Sequence, residues 1–310
     1  MAGAAAGGRF EMARAVVIYS PAYAHLLDAC VEDLQGSPFG KDLLSLQTVA
    51  GGWEANVGQL ADHLQPGDVL AVIGGEGTFG DVAGALISKE IGDVGSEVGI
   101  TSIDGGGGHD IRRATHRAWP RSPSWRLAHS RVHKAWALNV TLQHADGEPA
   151  QHQAFSYAGL GRSAEQTPVV AGSEYKNDLP VWRDFKIAMG ILASKTNFKI
   201  EDNQGTSGWL AELDIVKGGR MGKASRWPIR HQDEAFLVKT TPDHTPTVLL
   251  TAAQLLTNTV TGYRRATDYG FVVQTPTQMH VDGEPPIELA AQTTVRVGLS
   301  DRNYNLLASK

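Results

Sequence analysis

The first strong pattern in the chain is RAVVIYS at residues 14–20, a short apolar run of the kind that fills a buried strand. Tyr23, Leu26, Leu27, Cys30, Val31 and Leu34 follow at three- and four-residue spacing, which predicts a helix. The unit then repeats. Leu44, Leu46 and Thr48 alternate as a strand, and Trp53, Val57, Leu60, Ala61 and Leu64 step at helical intervals until Pro66-Gly67 stops them. DVLAVI at 68–73 reads as another buried strand, a glycine turn leads into a helix reaching Ile87, and VGITSI at 98–103 is a further strand. Strands alternating with helices predict an α/β domain with a doubly wound parallel sheet.

Past residue 130 the pattern changes. AWALNVTLQH and AFSYAG alternate with period two and are joined across Asp146-Gly147, a dipeptide suited to hairpin turns. Further β-like runs fall near 209–216, 234–241, 247–251, 268–282 and 292–299, interrupted by one helical stretch at about 178–195. The division expected is an α/β domain over 1–130 and a β-rich, mostly antiparallel domain over 131–310. No fixed-period repeat or low-complexity linker separates them.

Between the third strand and its helix lies Gly74-Gly75-Glu76-Gly77-Thr78-Phe79-Gly80-Asp81. Glycines there let backbone N–H groups approach a phosphate, and the helix N-terminus adds partial positive charge. The structural alternative is a tight turn in which Thr78 caps the helix and Asp81 completes a capping box. Gly77-x-x-Gly80 also supplies part of a dinucleotide fingerprint, but the loop follows the third strand and carries a bulky Phe79.

Composition narrows the class. The 310 residues carry 28 Lys and Arg against 33 Asp and Glu, a formal charge of −5, with 42% hydrophobic residues. That excludes a disordered or globally basic protein. No window approaches the ~18 apolar residues of a membrane span, and the opening MAGAAAGGRFEMARA lacks a signal pattern, so the expected location is cytoplasmic. The single cysteine, Cys30, lies on the apolar side of a predicted helix and reads as buried.

Gly74-Gly75-Glu76-Gly77-Thr78 resembles the GGDGT motif of the diacylglycerol kinase catalytic domain superfamily, which includes sphingosine, ceramide and bacterial lipid kinases, with NAD kinases as distant relatives. Ser20-Pro21 stands where the family has Asn-Pro after its first strand, and Thr48 matches a nucleotide-contacting threonine. Gly105–Arg113 resembles the GTxNDxAR loop, Gly159-Leu160-Gly161 the next glycine motif, and Val281-Asp282-Gly283-Glu284-Pro285 the late DGE motif. The resemblance spans nearly the whole chain and implies an α/β nucleotide domain followed by an antiparallel β-sandwich. It also implies ATP and Mg²⁺ as cofactors. Ser20, Pro21, Thr48, Gly74, Gly75, Gly77, Thr78, Asp81, Gly106, Gly107 and Asp110 are its nucleotide-binding residues. Asp110 also reads as a helix-start residue.

Four positions depart from the family pattern: Glu76 for Asp, Ser20 for Asn, Gly107 for Thr and His109 for Asn; Ser163 stands where many relatives have Asp. Glu76 keeps the carboxylate but displaces it by on the order of an ångström, a shift that can cost ~100-fold in rate unless the pocket adapts.

Phosphoryl transfer needs positioned phosphates, neutralised charge and an oriented acceptor oxygen. By resemblance, two carboxylates are candidates for taking the acceptor proton: Glu284 and Glu76. Asp233 lies near a place where bacterial lipid kinases hold a structural Mg²⁺, so it is a metal candidate, with a surface acid as the alternative. Residues 109–134 gather Arg112, Arg113, Arg117, Arg121, Arg126, Arg131 and Lys134 against Asp110 alone, interleaved with His and Trp. This stretch suits an anionic acceptor, a membrane surface, stacked bases or a solvated connection. Trp182, Phe185, Met189 and Leu192 form a helical stripe that suits an acyl-chain cleft or ordinary core.

The activity expected is an ATP-dependent kinase that phosphorylates a hydroxyl of a lipid or amphipathic small molecule. The alternatives are a kinase of a water-soluble sugar or nucleoside-type alcohol, and a pseudokinase that binds nucleotide without turnover. The expected partners are a small-molecule or lipid alcohol, with peripheral membrane contact and self-association compatible with the sequence and nucleic acid disfavoured.

Overall fold

The computed structural model describes residues 14–104, 111, 115, 122–144, 147–162, 164–165, 189–190, 192–203, 205, 207–218, 220–221, 225–244, 246–249, 253–254, 260–282 and 284–309. The chain forms two compact units, one of Met1–Trp136 with Asp301–Lys310 and one of Ala137–Ser300.

In the first unit, β1 (Ala15–Tyr19), β2 (Leu44–Gln47), β3 (Val69–Ile73) and β4 (Gly99–Asp104) pair parallel in the order β2-β1-β3-β4. The end of the last strand, β17 (Thr294–Ala308), joins them, with Asn305 opposite Gly99 and Leu306 opposite Ile100. Every residue of β3 is buried, as expected of a parallel strand covered on both faces. One face packs under α1 (Leu27–Gln35), where Cys30 and Leu34 meet Val17, Ala71, Ile73 and Leu307. Burial pushes the Cys30 thiol up to about 12, so it is inert packing. α2 (Gly52–His63) and α3 (Glu76–Ile87) pack against each other. Phe79 of α3 meets Tyr304 edge-on, with ring centroids 6.4 Å apart. Tyr304 and Leu307 are three residues apart on one strand and so face opposite sides, which puts α1 and α3 on opposite faces of the sheet. A short α4 (Val94–Glu97) precedes β4, and α5 (Pro123–His129) packs beside α1.

In the second unit, β5 (Arg131–Gln143) and β6 (Ala150–Ala154) form a hairpin, with Leu138 opposite Ala154 and Leu142 opposite Ala150, whereas the expected partner run AFSYAG at 154–159 straddles the end of β6 and the start of the next strand, with a bend at Phe155 and Ser156. β7 (Tyr157–Gly161), β8 (Phe198–Asp202) and β9 (Ser207–Val216) follow, then a ribbon of β10 (Arg220–Met221) and β11 (Ser225–Arg226). β12 (Phe236–Pro242), β13 (Arg264–Ala266), β14 (Asp268–Val273), β15 (Thr277–Val281) and β16 (Ile287–Leu289) lead to β17. The pairings of β7, β8, β9, β12 and β14 to β16 are antiparallel. Leu138, Val140, Leu160, Phe198, Leu213, Ile215, Phe236, Phe271, Met279 and Val297 share one buried core. Each large side chain there contributes ~2 kcal/mol on burial.

Two expected runs differ. Residues 268–282 are two strands rather than one, because Gln274 to Pro276 turn between β14 and β15. Residues 247–249 of the expected strand 247–251 are helical, in a turn that begins at 246. A four-residue apolar run does not distinguish the two states by periodicity. Of the expected helix 178–195, residues 189–190 and 192–193 are helical, and 178–188 lie outside the described residues.

Candidate functional site

In the first unit the candidate residues collect where parallel strands end. β1 and β3 are neighbours, yet the chain leaves β1 toward α1 on one face and β3 toward α3 on the other. This is a topological switch point, where open α/β sheets form their ligand crevice. Ser20 follows β1 and its amide donates to the Ile73 carbonyl at 3.0 Å, holding the two exits together. Pro21 then starts a 3-10 turn and is exposed. On the other side of β1, the Thr48 amide donates to the Tyr19 carbonyl at 2.9 Å and its hydroxyl reaches the same oxygen at 3.4 Å. Ser20, Thr48 and the Gly74–Thr78 turn therefore share one edge of the sheet.

Helix α3 begins earlier than the capping-box alternative requires. Gly75 is its N-cap, with extended backbone at φ −77° and ψ −174°, and no side chain caps it. Thr78 lies within the first turn instead, folded over Gly74, where an added Cβ would stand 2.4 Å from the Thr78 Cβ. The first intrahelical bond runs from the Phe79 amide to the Gly75 carbonyl. Gly75, Glu76, Gly77 and Thr78 are partly exposed. The opening amides of a helix otherwise need side chains, water or a ligand, and anions suit them best. Glu76 stands in this turn and Asp81 one turn further on.

Sequence reasoning missed Asn56. It is buried within α2, where its amide donates to the Val49 and Gly52 carbonyls at 3.0 and 2.8 Å and its oxygen accepts the Val49 amide at 2.9 Å. Those bonds fix the loop after Thr48, which turns through Gly51 at φ +122° and Gly52 at φ +82°. An asparagine within the apolar stripe Trp53, Val57, Leu60 is the signal that marks it.

In the second unit the DGE motif divides its labour. Asp282 is buried, with left-handed backbone at φ +46°. Its carboxylate accepts the amides of Ser156 and Tyr157, each at 2.9 Å, and that of Phe155. Three amides on one carboxylate make it a structural anchor for the turn before β7. The Glu284 amide closes the motif by donating to the Val281 carbonyl at 2.8 Å. Glu284 itself reaches solvent, while the burial of its covered part pushes its carboxyl above the usual range. That direction suits a proton acceptor working near neutral pH.

The glycine motif before it serves packing. An added Cβ at Gly159 would stand 2.5 Å from the His280 Nε2, and at Gly161, φ +99°, 2.3 Å from the Ala211 carbonyl. Across β7, β9 and β12 the register sets Gly159 opposite Asp214 and Asp214 opposite Lys239, with Glu212 opposite Gly161 and Thr241. Glu212, Asp214, Lys239 and His280 are all buried. Burial pushes the Asp214 carboxyl up to about 6, opposed by Lys239 and by a hydrogen bond with Glu212. Lys239 donates to Gln254 at 2.6 Å. Burial also holds the His280 imidazole down to about 4.

Other candidates resolve differently. Gly106, Gly107 and Asp110 lie outside the described residues, as do Arg112, Arg113, Arg117 and Arg121 of the basic stretch. Within it, Arg126 is buried and donates to the Ile103 carbonyl, so it secures β4 rather than gripping a ligand. Arg131 and Lys134 are exposed. Asp233 accepts the Arg230 amide at 2.9 Å, closing its own loop. Among the described residues no three or more His, Cys, Asp or Glu side chains gather as a metal site. None of the described helices is long and apolar enough to cross a membrane. A cavity of about 570 Å³ lies among Arg162, Leu192, Lys195, Asn197, Asp243 and Leu249.

Neither a protein-family model nor a curated protein sequence matches the chain. Solved structures do. A proposed diacylglycerol kinase from Bacillus anthracis str. Sterne superposes with a TM-score of 0.68 at 14% identity, covering 97% of this chain and 98% of that one. A second structure of a diacylglycerol kinase from the same organism gives 0.64 at 12% identity, with the same coverage. Yeast NADH kinase complexed with NADH gives 0.52 at 10% identity, covering 96% of this chain and 84% of that one. The chain therefore shares its fold with these solved structures over nearly its whole length, more distantly with the NADH kinase.

Proposed function

We propose that the protein is an ATP-dependent kinase that transfers the γ-phosphate to a hydroxyl of a lipid or amphipathic small molecule. The observation that carries this reading is the start of α3, a helix opening with a glycine N-cap and no capping side chain, at the switch point between β1 and β3. Gly75, Gly77 and Thr78 would offer backbone donors to the phosphates there, with Ser20 and Thr48 beside them. Mg²⁺ carried with the triphosphate would neutralise charge on its β and γ oxygens. A carboxylate, Glu284 or Glu76, takes the proton of the acceptor hydroxyl as that oxygen bonds to the γ-phosphorus. The bond from the γ-phosphorus to the bridging oxygen breaks, and ADP leaves with the electron pair. Glu284 is favoured for this task because its carboxyl is already raised.

The 570 Å³ cavity supports an amphipathic acceptor. Leu192, Val248 and Leu249 line it together with Arg162 and Lys195, and Leu249 is 52% exposed. An apolar chain with a polar head matches that mixture, Arg162 being already paired with Asp243 of the same lining at 2.8 Å. Incubating the full chain with Mg–ATP and a panel of dispersed lipid alcohols, sugars and nucleosides, with products read by mass, tests the reading. Phosphorylated product from amphipathic alcohols, lost in Glu284→Gln, is expected. Product from soluble alcohols alone would move the assignment to a metabolite kinase, and absence of product from every alcohol would favour a pseudokinase.

A further inference from the structure

Lys217 follows β9 and is completely buried. Its three N–H donors meet three backbone carbonyls of a single loop: His231 at 2.8 Å, Arg230 at 3.4 Å, and Asp233. The loop is otherwise self-contained, since the Asp233 amide returns to the Arg230 carbonyl at 3.0 Å and its carboxylate accepts the Arg230 amide. Carbonyl oxygens converging on one point are how proteins hold hard cations. Here the point is taken by a side-chain ammonium. Burial brings the lysine down to about 8, with Asp233 and Glu234 favouring its charge and Arg265 opposing it.

The same lysine is joined to the DGE turn. Its own amide and that of Gly218 both donate to the Ser156 carbonyl, at 2.7 and 3.0 Å. The Ser156 amide donates to Asp282, the anchor of the turn that carries Glu284. His231 closes the block by packing on Gly218, where an added Cβ would stand 2.5 Å from its ring and 3.1 Å from the Ser156 Cα.

We propose that the Lys217 ammonium is the built-in cation of the Arg230–Asp233 loop, occupying the place where Asp233 suggested a metal ion, and that through Ser156 and Asp282 it is a positioning residue for Glu284. The cation assignment stands on its own; the positioning role rests on the kinase reading.

Thermal unfolding of the full chain separates the two. The wild type should unfold at the same temperature in EDTA and in Mg²⁺. Lys217→Met, which keeps the apolar stem and removes the charge, should lower the unfolding temperature by about 10 °C, the loss expected when buried carbonyls lose a charged donor. Lys217→Ala should recover part of its loss in alkylammonium salts and none in the matching sodium salts. An EDTA-sensitive wild type that Mg²⁺ restores, a Lys217→Met as stable as wild type, or a Lys217→Ala indifferent to amines would each overturn the cation assignment. If the variants do not fold, the wild-type comparison still decides. For positioning, Lys217→Ala should lose kcat with KM for ATP unchanged and regain kcat with the amine. Stability rescued without kcat would overturn that role alone, and a wild type without turnover is a failure of the kinase reading, leaving the stability result intact.

Discussion

Asp282 and Glu284 are two residues apart and have separate physical jobs, so substitutions should separate them. Asp282→Asn leaves amides of Phe155, Ser156 and Tyr157 without their anion and should cost about 2 kcal/mol in urea unfolding. Glu284→Gln touches a carboxylate that reaches solvent and should leave stability unchanged while lowering kcat by ~10²–10⁴-fold at constant ATP affinity. If Glu284→Gln retains full turnover, Glu284 is not the proton acceptor. The motif itself was legible in the sequence. Its internal division was not, because which acid turns inward depends on a left-handed backbone at Asp282 and on amides more than 120 residues away in the chain. Lys217 and Lys239 were missed for a related reason: a lysine just past the end of a strand, or alternating within one, reads as solvated until the distant loop or strand that covers it is known.

At the scale of elements, the parallel strands and their helices were legible because the runs at 15–19 and 69–73 are continuously apolar and each ends in a turn signal. The start of α3 was not, since both Gly75 and Thr78 are reasonable caps, and the structure chooses the glycine. The alternation of β9 was also readable, but not that its polar face is buried. Glu212 and Asp214 share a side-chain hydrogen bond beside Lys239, and removing the lysine leaves a buried acidic pair uncompensated. Lys239→Met should therefore destabilise the protein by about 3 kcal/mol in denaturant unfolding. Unchanged stability would show that the pair neutralises itself by holding its proton.

For the whole molecule, buried histidines set the response to acid. His280 is held down to about 4 by burial, and His231 to about 3 by burial and the Lys217 ammonium, against a backbone hydrogen bond with Phe155 that raises it. Below the ordinary histidine value of 6.5 the unfolded chain binds two protons that the folded one refuses, so stability falls as pH drops toward 4. Asp214, raised to about 6, holds a proton in the folded state and offsets about one of them; Glu284 acts in the same sense. The urea midpoint should thus decrease from pH 7 to pH 5, and a flat or rising midpoint would mean that these imidazoles are not buried as described. The likeness to solved kinases at 14% identity or less extends over nearly the full chain. Their fold is kept by the buried pattern, while substrate choice depends on side chains that such identity does not preserve.

Calorimetric titration of the full chain with Mg–ATP tests whether the start of α3 receives the phosphates of a nucleotide. The wild type should give a saturable single-site isotherm, and a folded Gly75→Val, whose side chain crowds the amides, an affinity weakened by about tenfold or more. No binding heat at any concentration, or equal affinity in the two proteins, would contradict nucleotide binding there.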